Sequence, residues 1–211
     1  MGDCDELIQT LRRDGIQDER VLDAMSRVPR DAFVGPELRA LAYQNEALPI
    51  PEGQTISQPF VVALMSAALE LQGDECVLDV GTGSGYQAAI LAMLARRVVG
   101  VERHAGLARD AAQRLRSLGY ANVEVHVAGE ALGWPDGAPY DGILCAAGAP
   151  RVPASLLAQL VRGPRSHLVI PVGTRAEQDL IAVRYTDRGF EERRLVPVRF
   201  VPLIAPDAWQ E

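Results

Sequence analysis

A doubly wound α/β fold with a mostly parallel sheet is what this sequence predicts, and three observations carry the prediction. From Cys76 onward, apolar runs that read as strands (76–80, 98–102, 123–127, 141–146, 167–171) alternate with stretches of helical pattern (86–95, 105–118, 153–161). Such alternation means βαβ crossovers, hence parallel strands with helices on both faces. The first of these strands runs directly into Gly81-Thr82-Gly83-Ser84-Gly85 and then a helix, the strand–turn–helix arrangement that receives a nucleotide-like ligand. The tail departs from the alternation. Residues 180–185 and 193–203 read as two long strands around Asp187-Arg188-Gly189, an antiparallel pair that closes one sheet edge.

Before the alternation begins, residues 5–27 predict two short amphipathic helices. Leu7, Ile8 and Leu11 mark the first and Val21, Leu22 and Met25 the second, with Gly15 between them. Residues 28–59 read as loop-rich, with Pro29, Pro36, Pro49, Pro51 and Gly53. Ser57-Gln58-Pro59 then predicts a helix start, Ser57 capping and Pro59 in the first turn, leading into 61–71. The expected division is one domain over 1–211: N-terminal helices and a substrate loop (1–59), a cofactor-binding core (60–173) and a C-terminal strand pair (174–211).

Composition bounds the function. A chain of 211 residues, 48% hydrophobic and 23% charged, can bury a sizeable core. A net charge of −7 excludes a general nucleic-acid binder, which needs a basic face. No apolar run is long enough to span a membrane, and no secretory leader pattern is legible, so a cytoplasmic protein is expected. Cys4, Cys76 and Cys145 lack metal-like spacing and read as small core residues of a reduced protein. The three histidines lie on separate elements, and no Ser-His-Asp or metal cluster is legible.

The glycine turn narrows the cofactor. Its third glycine comes one residue too early for the dinucleotide fingerprint, and Tyr86-Gln87 stand where a P-loop needs Gly-Lys-Ser/Thr. Pyrophosphate recognition is thereby removed. A G-x-G-x-G turn after Asp79, with Glu102 ending the next strand where a carboxylate can accept ribose hydroxyls, is the pattern of S-adenosylmethionine-dependent methyltransferases with a Rossmann-like fold. The expected cofactor residues are Asp79, Gly81, Thr82, Gly83, Ser84, Gly85 and Glu102. The helix after the turn is expected to aim free N–H groups at the ligand.

The segment AYQNEALPIPEGQTISQP (42–59) indicates the substrate. It resembles the signature of the protein-L-isoaspartate (D-aspartate) O-methyltransferase family. The resemblance continues through VPRDAFV, VGTGSGYQAAILA, VVGVER, LGYANVEV, APYDGIL, LVIPVG and VRFVPL, nearly the whole chain in the family's order. It implies methyl transfer from S-adenosylmethionine to the free α-carboxylate of L-isoaspartyl residues in damaged proteins and peptides. The ester then collapses to a succinimide that reopens partly to aspartate. It also implies Ser57 as the active-site serine, Gln54, Thr55 and Ile56 along the peptide, Val201 and Leu203 beside it on a terminal strand, and a monomeric enzyme. A carboxylate is already ionised at neutral pH, so the chemistry needs alignment and water exclusion rather than a strong base.

The chain departs from the family in one loop. Where the family has Gly-Asp-Gly before Gly-Trp, this chain reads Ala128-Gly129-Glu130 before Gly133-Trp134. Gly129 takes the place of the acid that accepts the adenine amino group, and either Glu130 or backbone groups alone must serve. Gly163-Pro164-Arg165-Ser166 is expected to be a surface insertion. Two other readings remain open: a related carboxylate methyltransferase for a dedicated precursor peptide, and a catalytically idle cofactor-binding module.

Overall fold

The computed structural model describes residues 2–210. Its centre is a seven-stranded sheet in the order β5-β4-β3-β6-β7-β8-β9. Five strands run parallel: β3 (Cys76–Val80), β4 (Arg97–Glu102), β5 (Val123–Val127), β6 (Gly142–Cys145) and β7 (His167–Gly173). The sheet starts at β3, the middle of the five parallel strands, adds β4 and β5 on one side, then returns to add β6 and β7 on the other. That reversal is the topological switch point, where open α/β sheets bind ligands at their carboxyl ends. β8 (Gln178–Thr186) and β9 (Gly189–Val198) form the expected antiparallel pair at the edge, turning at Asp187-Arg188.

Successive sheet residues feed two cores, as the pleat requires. Val77, Val98 and Val169 face helices α1 (Gly2–Arg13), α2 (Glu19–Arg27), α3 (Pro59–Ala68), α4 (Tyr86–Ala92) and α5 (Ala105–Ser117). Leu78, Val99 and Leu168 face α6 (Ala154–Ala158) and the irregular segments beside it. Helices thus cover both faces, as the alternation predicted. In α2, Asp18 accepts from Arg20 N and Val21 N, and the buried Val21, Leu22 and Met25 form its inner face. Gly15, at φ +104°, makes the turn that folds α2 back toward α1.

Several expected boundaries are corrected. The helices predicted to run to 71, 95 and 161 end at Ala68, Ala92 and Ala158. Periodicity alone overran them, because apolar residues continue past each helix into the core. Residues 28–59 are more ordered than their prolines suggested. They hold two 3-10 turns (Arg30–Phe33, Pro36–Leu41) and the antiparallel hairpin of β1 (Leu48–Ile50) and β2 (Gln54–Ile56). The second tail strand stops at Val198. Residues 199–203 leave the sheet and run beside the loop after β6, Gly148 N donating to Val201 O and Leu203 N to Gly148 O, both at 2.8 Å. The 163–166 segment is anchored, since Arg165 pairs with Asp74 and with the buried carboxylate of Glu75.

The three cysteines are free, and burial pushes the Cys145 thiol up to about 12, as expected for an inert core residue. Asp141 accepts from Cys76 N at 2.8 Å and so fastens the entry of β6 to that of β3.

Candidate active site

The carboxyl ends of β3, β4, β5 and β6 open into a cleft of about 1120 Å³. Its floor is the turn after β3, built by close backbone approach. Gly81 (φ +85°) and Gly83 (φ +54°) adopt the left-handed conformation that favours glycine, and Gly100 leaves room for Thr82 to lie across β4. A Cβ at Gly100 would sit 2.6 Å from the Thr82 hydroxyl.

The turn's amides are turned inward. Gly81 N and Thr82 N donate to Val101 O, Gly83 N to the Glu102 carboxylate, Gly85 N to Thr82 O and Tyr86 N to the Ser84 hydroxyl. In the first turn of α4, Tyr86 N is taken, while Gln87 N and Ala88 N have no partner among the described residues. Five amides of the turn are already satisfied, which removes the cradle a phosphate would need.

What the turn offers is negative charge. Glu102, 5% exposed, is fixed by Gly83 N on one oxygen (2.9 Å) and His104 N on the other (2.8 Å). Each oxygen keeps a lone pair for a further donor, such as a ribose hydroxyl. Asp79 is fully buried, and neither carboxylate oxygen has a hydrogen-bond partner among the described residues. Burial, opposed by the neighbouring Thr82 and reinforced by the charge of Glu102, pushes its pKa up to about 7. The Thr82 hydroxyl itself donates to the Asp79 main-chain carbonyl at 3.1 Å. Two buried acids beneath a turn with satisfied amides suit a cationic nucleoside such as S-adenosylmethionine, with its hydroxyls, ammonium and sulfonium.

The structure brings Gly81, Thr82, Gly83, Ser84, Glu102, Gly129 and Glu130 onto one cleft with Gln54, Thr55, Ile56, Ser57, Val201 and Leu203. Asp79 and Gly85 do not line the cleft itself. Asp79 lies beneath the floor. Gly85 turns away from the cleft and seats α4 on α5, where a Cβ would meet Leu115 at 3.2 Å. Glu130 is exposed on the rim, beside an equally exposed Gly129.

Ser57 is not a helix cap. Gln58 occupies the cap position of α3, and the first-turn amide of Phe60 is taken by the Asn45 side chain at 2.9 Å. Gln58 in turn donates to Asn45 O at 2.9 Å. With that role filled from elsewhere, the half-buried Ser57 hydroxyl has no hydrogen-bond partner among the described residues. Asn45 itself is placed by Arg30, whose buried guanidinium donates to Ala42 O (2.8 Å) and Glu46 O (3.2 Å) and lies over the Tyr86 ring. Sequence reasoning missed both residues. Their neighbours AY and VPRDAFV carried the signal, but a polar cap supplied from a distant segment has no local signature.

No group of His, Cys, Asp and Glu that could hold a metal occurs among the described residues, and no helix among them is long and apolar enough to cross a membrane.

Comparison with known proteins places the chain in a family. The family model described as Protein-L-isoaspartate(D-aspartate) O-methyltransferase matches residues 3–207. Protein-L-isoaspartate O-methyltransferase 1 of Syntrophobacter fumaroxidans is 50% identical, across 98% of this chain and 96% of its own. Protein-L-isoaspartate O-methyltransferase 2 of Pelobacter propionicus is 53% identical, across 92% and 87%. Among solved structures, a protein-L-isoaspartate O-methyltransferase superposes with a TM-score of 0.84 at 24% identity, across 97% of this chain and 67% of its own. A Plasmodium falciparum protein described as a β-aspartate methyltransferase, solved with S-adenosyl-L-homocysteine, superposes at 0.76 with 24% identity, across 93% and 95%. At that identity the two structures speak to the fold, while the sequence matches speak to kinship. The chain belongs to the protein-L-isoaspartate(D-aspartate) O-methyltransferase family.

Proposed function

We propose that this protein transfers a methyl group from S-adenosylmethionine to the free α-carboxylate of L-isoaspartyl residues in damaged proteins and peptides, the step that starts their repair through a succinimide. The observation that carries the reading is the confrontation of two walls in one cleft. An acid-lined glycine turn faces the 54–57 segment, whose serine is released from helix capping.

The bound cofactor supplies a methyl group activated by an adjacent sulfonium. The chain's own residues do the rest by position. Glu102, locked by two backbone N–H groups, receives the nucleoside hydroxyls without reorganising. Asp79 supplies a buried negative charge below the floor, where low dielectric strengthens its attraction for a cation. Gly129, Glu130 and the adjoining backbone form the rim on the base side.

On the acceptor side, the Ser57 hydroxyl donates to the incoming carboxylate and holds one oxygen toward the methyl group. That role is orienting rather than nucleophilic. Gln54, Thr55 and Ile56 on β2, with Val201 and Leu203 opposite, flank the peptide and exclude water. No general base is required, because the acceptor is ionised throughout the neutral range. The intact 54–57 wall opposes the idle-module reading, since a module without an acceptor has no use for it. We place the enzyme in the cytoplasm, on its free cysteines and the nature of its substrates, and take it to act as a monomer, since one chain supplies both walls.

The test follows an L-isoaspartyl peptide by chromatography during incubation with protein and S-adenosylmethionine. Loss of the isoaspartyl form with growth of succinimide and aspartyl forms is expected. An unchanged isoaspartyl peak would refute the assignment.

A further inference from the structure

We propose that two buried glutamines, Gln159 and Gln178, are independent positioning residues, the first for the cofactor wall of the cleft and the second for its acceptor wall. The inference rests on the reading above. Both walls include segments outside the main sheet and the helices, residues 128–133 and 199–206, the second held only by isolated bridges such as that to Gly148, so several of their backbone groups must be fixed by side chains.

Each glutamine does this with its whole amide. Gln159, just past α6 and 5% exposed, accepts from Trp134 N (2.8 Å) and donates to Leu132 O (2.8 Å) and Ser155 O (2.9 Å). It thereby grips both sides of Gly133 at the end of the cofactor loop. Gln178, at the start of β8 and also 5% exposed, accepts from Phe200 N (2.8 Å) and donates to Phe200 O (3.3 Å) and Thr174 O (3.1 Å). Phe200 adjoins Val201, so the grip sets the register in which Val201 and Leu203 bond Gly148. In both places acceptor and both donors are used, the full capacity of the group in those directions.

Each amide also lies flat on a glycine. A Cβ at Gly133 would stand 2.6 Å from Gln159 Oε1, and one at Gly148 would stand 2.7 Å from Gln178 Cδ. Those two glycines keep room for the clamps.

The test measures S-adenosylhomocysteine affinity by calorimetry, and kcat and KM for an isoaspartyl peptide, in Gln159→Glu and Gln178→Glu. The change keeps size and acceptor but points a carboxylate oxygen at backbone carbonyls. Gly148→Ala displaces the Gln178 amide from the other side, and Gly133→Ala displaces that of Gln159 while also straining a left-handed backbone (φ +79°); they serve if a glutamate variant fails to fold. Changes at 159 and 133 are expected to raise the cofactor Kd about tenfold with peptide KM within about twofold. Changes at 178 and 148 are expected to do the reverse. The proposal is overturned if either pair moves both constants together, or if only the melting midpoint falls while both constants stay put. A wild-type protein that binds the cofactor analogue but leaves isoaspartyl peptide unmethylated would refute the functional reading instead, and the cofactor arm at 159 would still report.

Discussion

Replacing Asp79 with asparagine should stabilise the cofactor-free protein at alkaline pH while weakening its hold on the cofactor. The unfolded carboxyl titrates near 3.8 and the folded one near 7, a difference that burial causes first. Between those values the folded state binds more protons than the unfolded state, so Asp79 makes stability fall as pH rises through that window and level off above it. At about 1.4 kcal/mol per unit, ionised Asp79 costs the folded protein up to about 4 kcal/mol at pH 8. Roughly 2–3 kcal/mol of that cost appears between pH 5 and pH 8. A buried asparagine lacking partners costs about 1–3 kcal/mol at every pH. The signature is therefore the pH dependence of the difference. Urea unfolding should show Asp79→Asn gaining on the wild type by about 2–3 kcal/mol from pH 5 to pH 8, while calorimetry shows S-adenosylmethionine binding at least about tenfold more weakly. A wild-type minus variant difference that stays flat across that range would refute the assignment of a buried, unpartnered carboxyl with a raised pKa beneath the cofactor turn.

Three further substitutions separate the two walls of the site. Ser57→Ala is expected to lower kcat roughly ten- to hundredfold in steady-state assays and leave the cofactor Kd unchanged; equal losses in both would make the serine a mere shaper of the cofactor loop. Glu102→Gln replaces one acceptor with a donor facing a backbone N–H, of Gly83 or of His104, so cofactor affinity by calorimetry should fall about tenfold or more, and an unchanged affinity would remove Glu102 from the site. Asn45→Ala strips the cap from Phe60 N and should cost about 1 kcal/mol, a loss of roughly 2–4 °C in melting midpoint, together with a higher peptide KM. An unaltered midpoint would contradict the cap.

The parallel half of the sheet was legible because each of its strands is a short apolar run between helical patterns, and β5 fell on its predicted bounds. The glycine turn was legible because only glycine serves at positions such as Gly81 and Gly83. What escaped was set by contacts distant in sequence. Ser57 looked like a cap because Ser-x-Pro has the local chemistry of one. Asn45 accepts from the first-turn amide instead, on a loop whose carbonyls at Ala42 and Glu46 are held by Arg30. Gly85 reads like its two neighbours in the motif, yet α5 lies against it, and nothing local distinguishes a glycine that admits a ligand from one that admits a leucine. That Val101 and Glu102 on β4 would claim three amides of the glycine turn was likewise invisible, a pairing that shows only once strand order is known.

The most direct measurement is transfer of a labelled methyl group from S-adenosylmethionine to two matched peptides that differ only in carrying L-isoaspartate or normal aspartate. Base-labile label on the isoaspartyl peptide alone is the predicted result. Equal label on both peptides, or label on neither while the cofactor is bound, would contradict it.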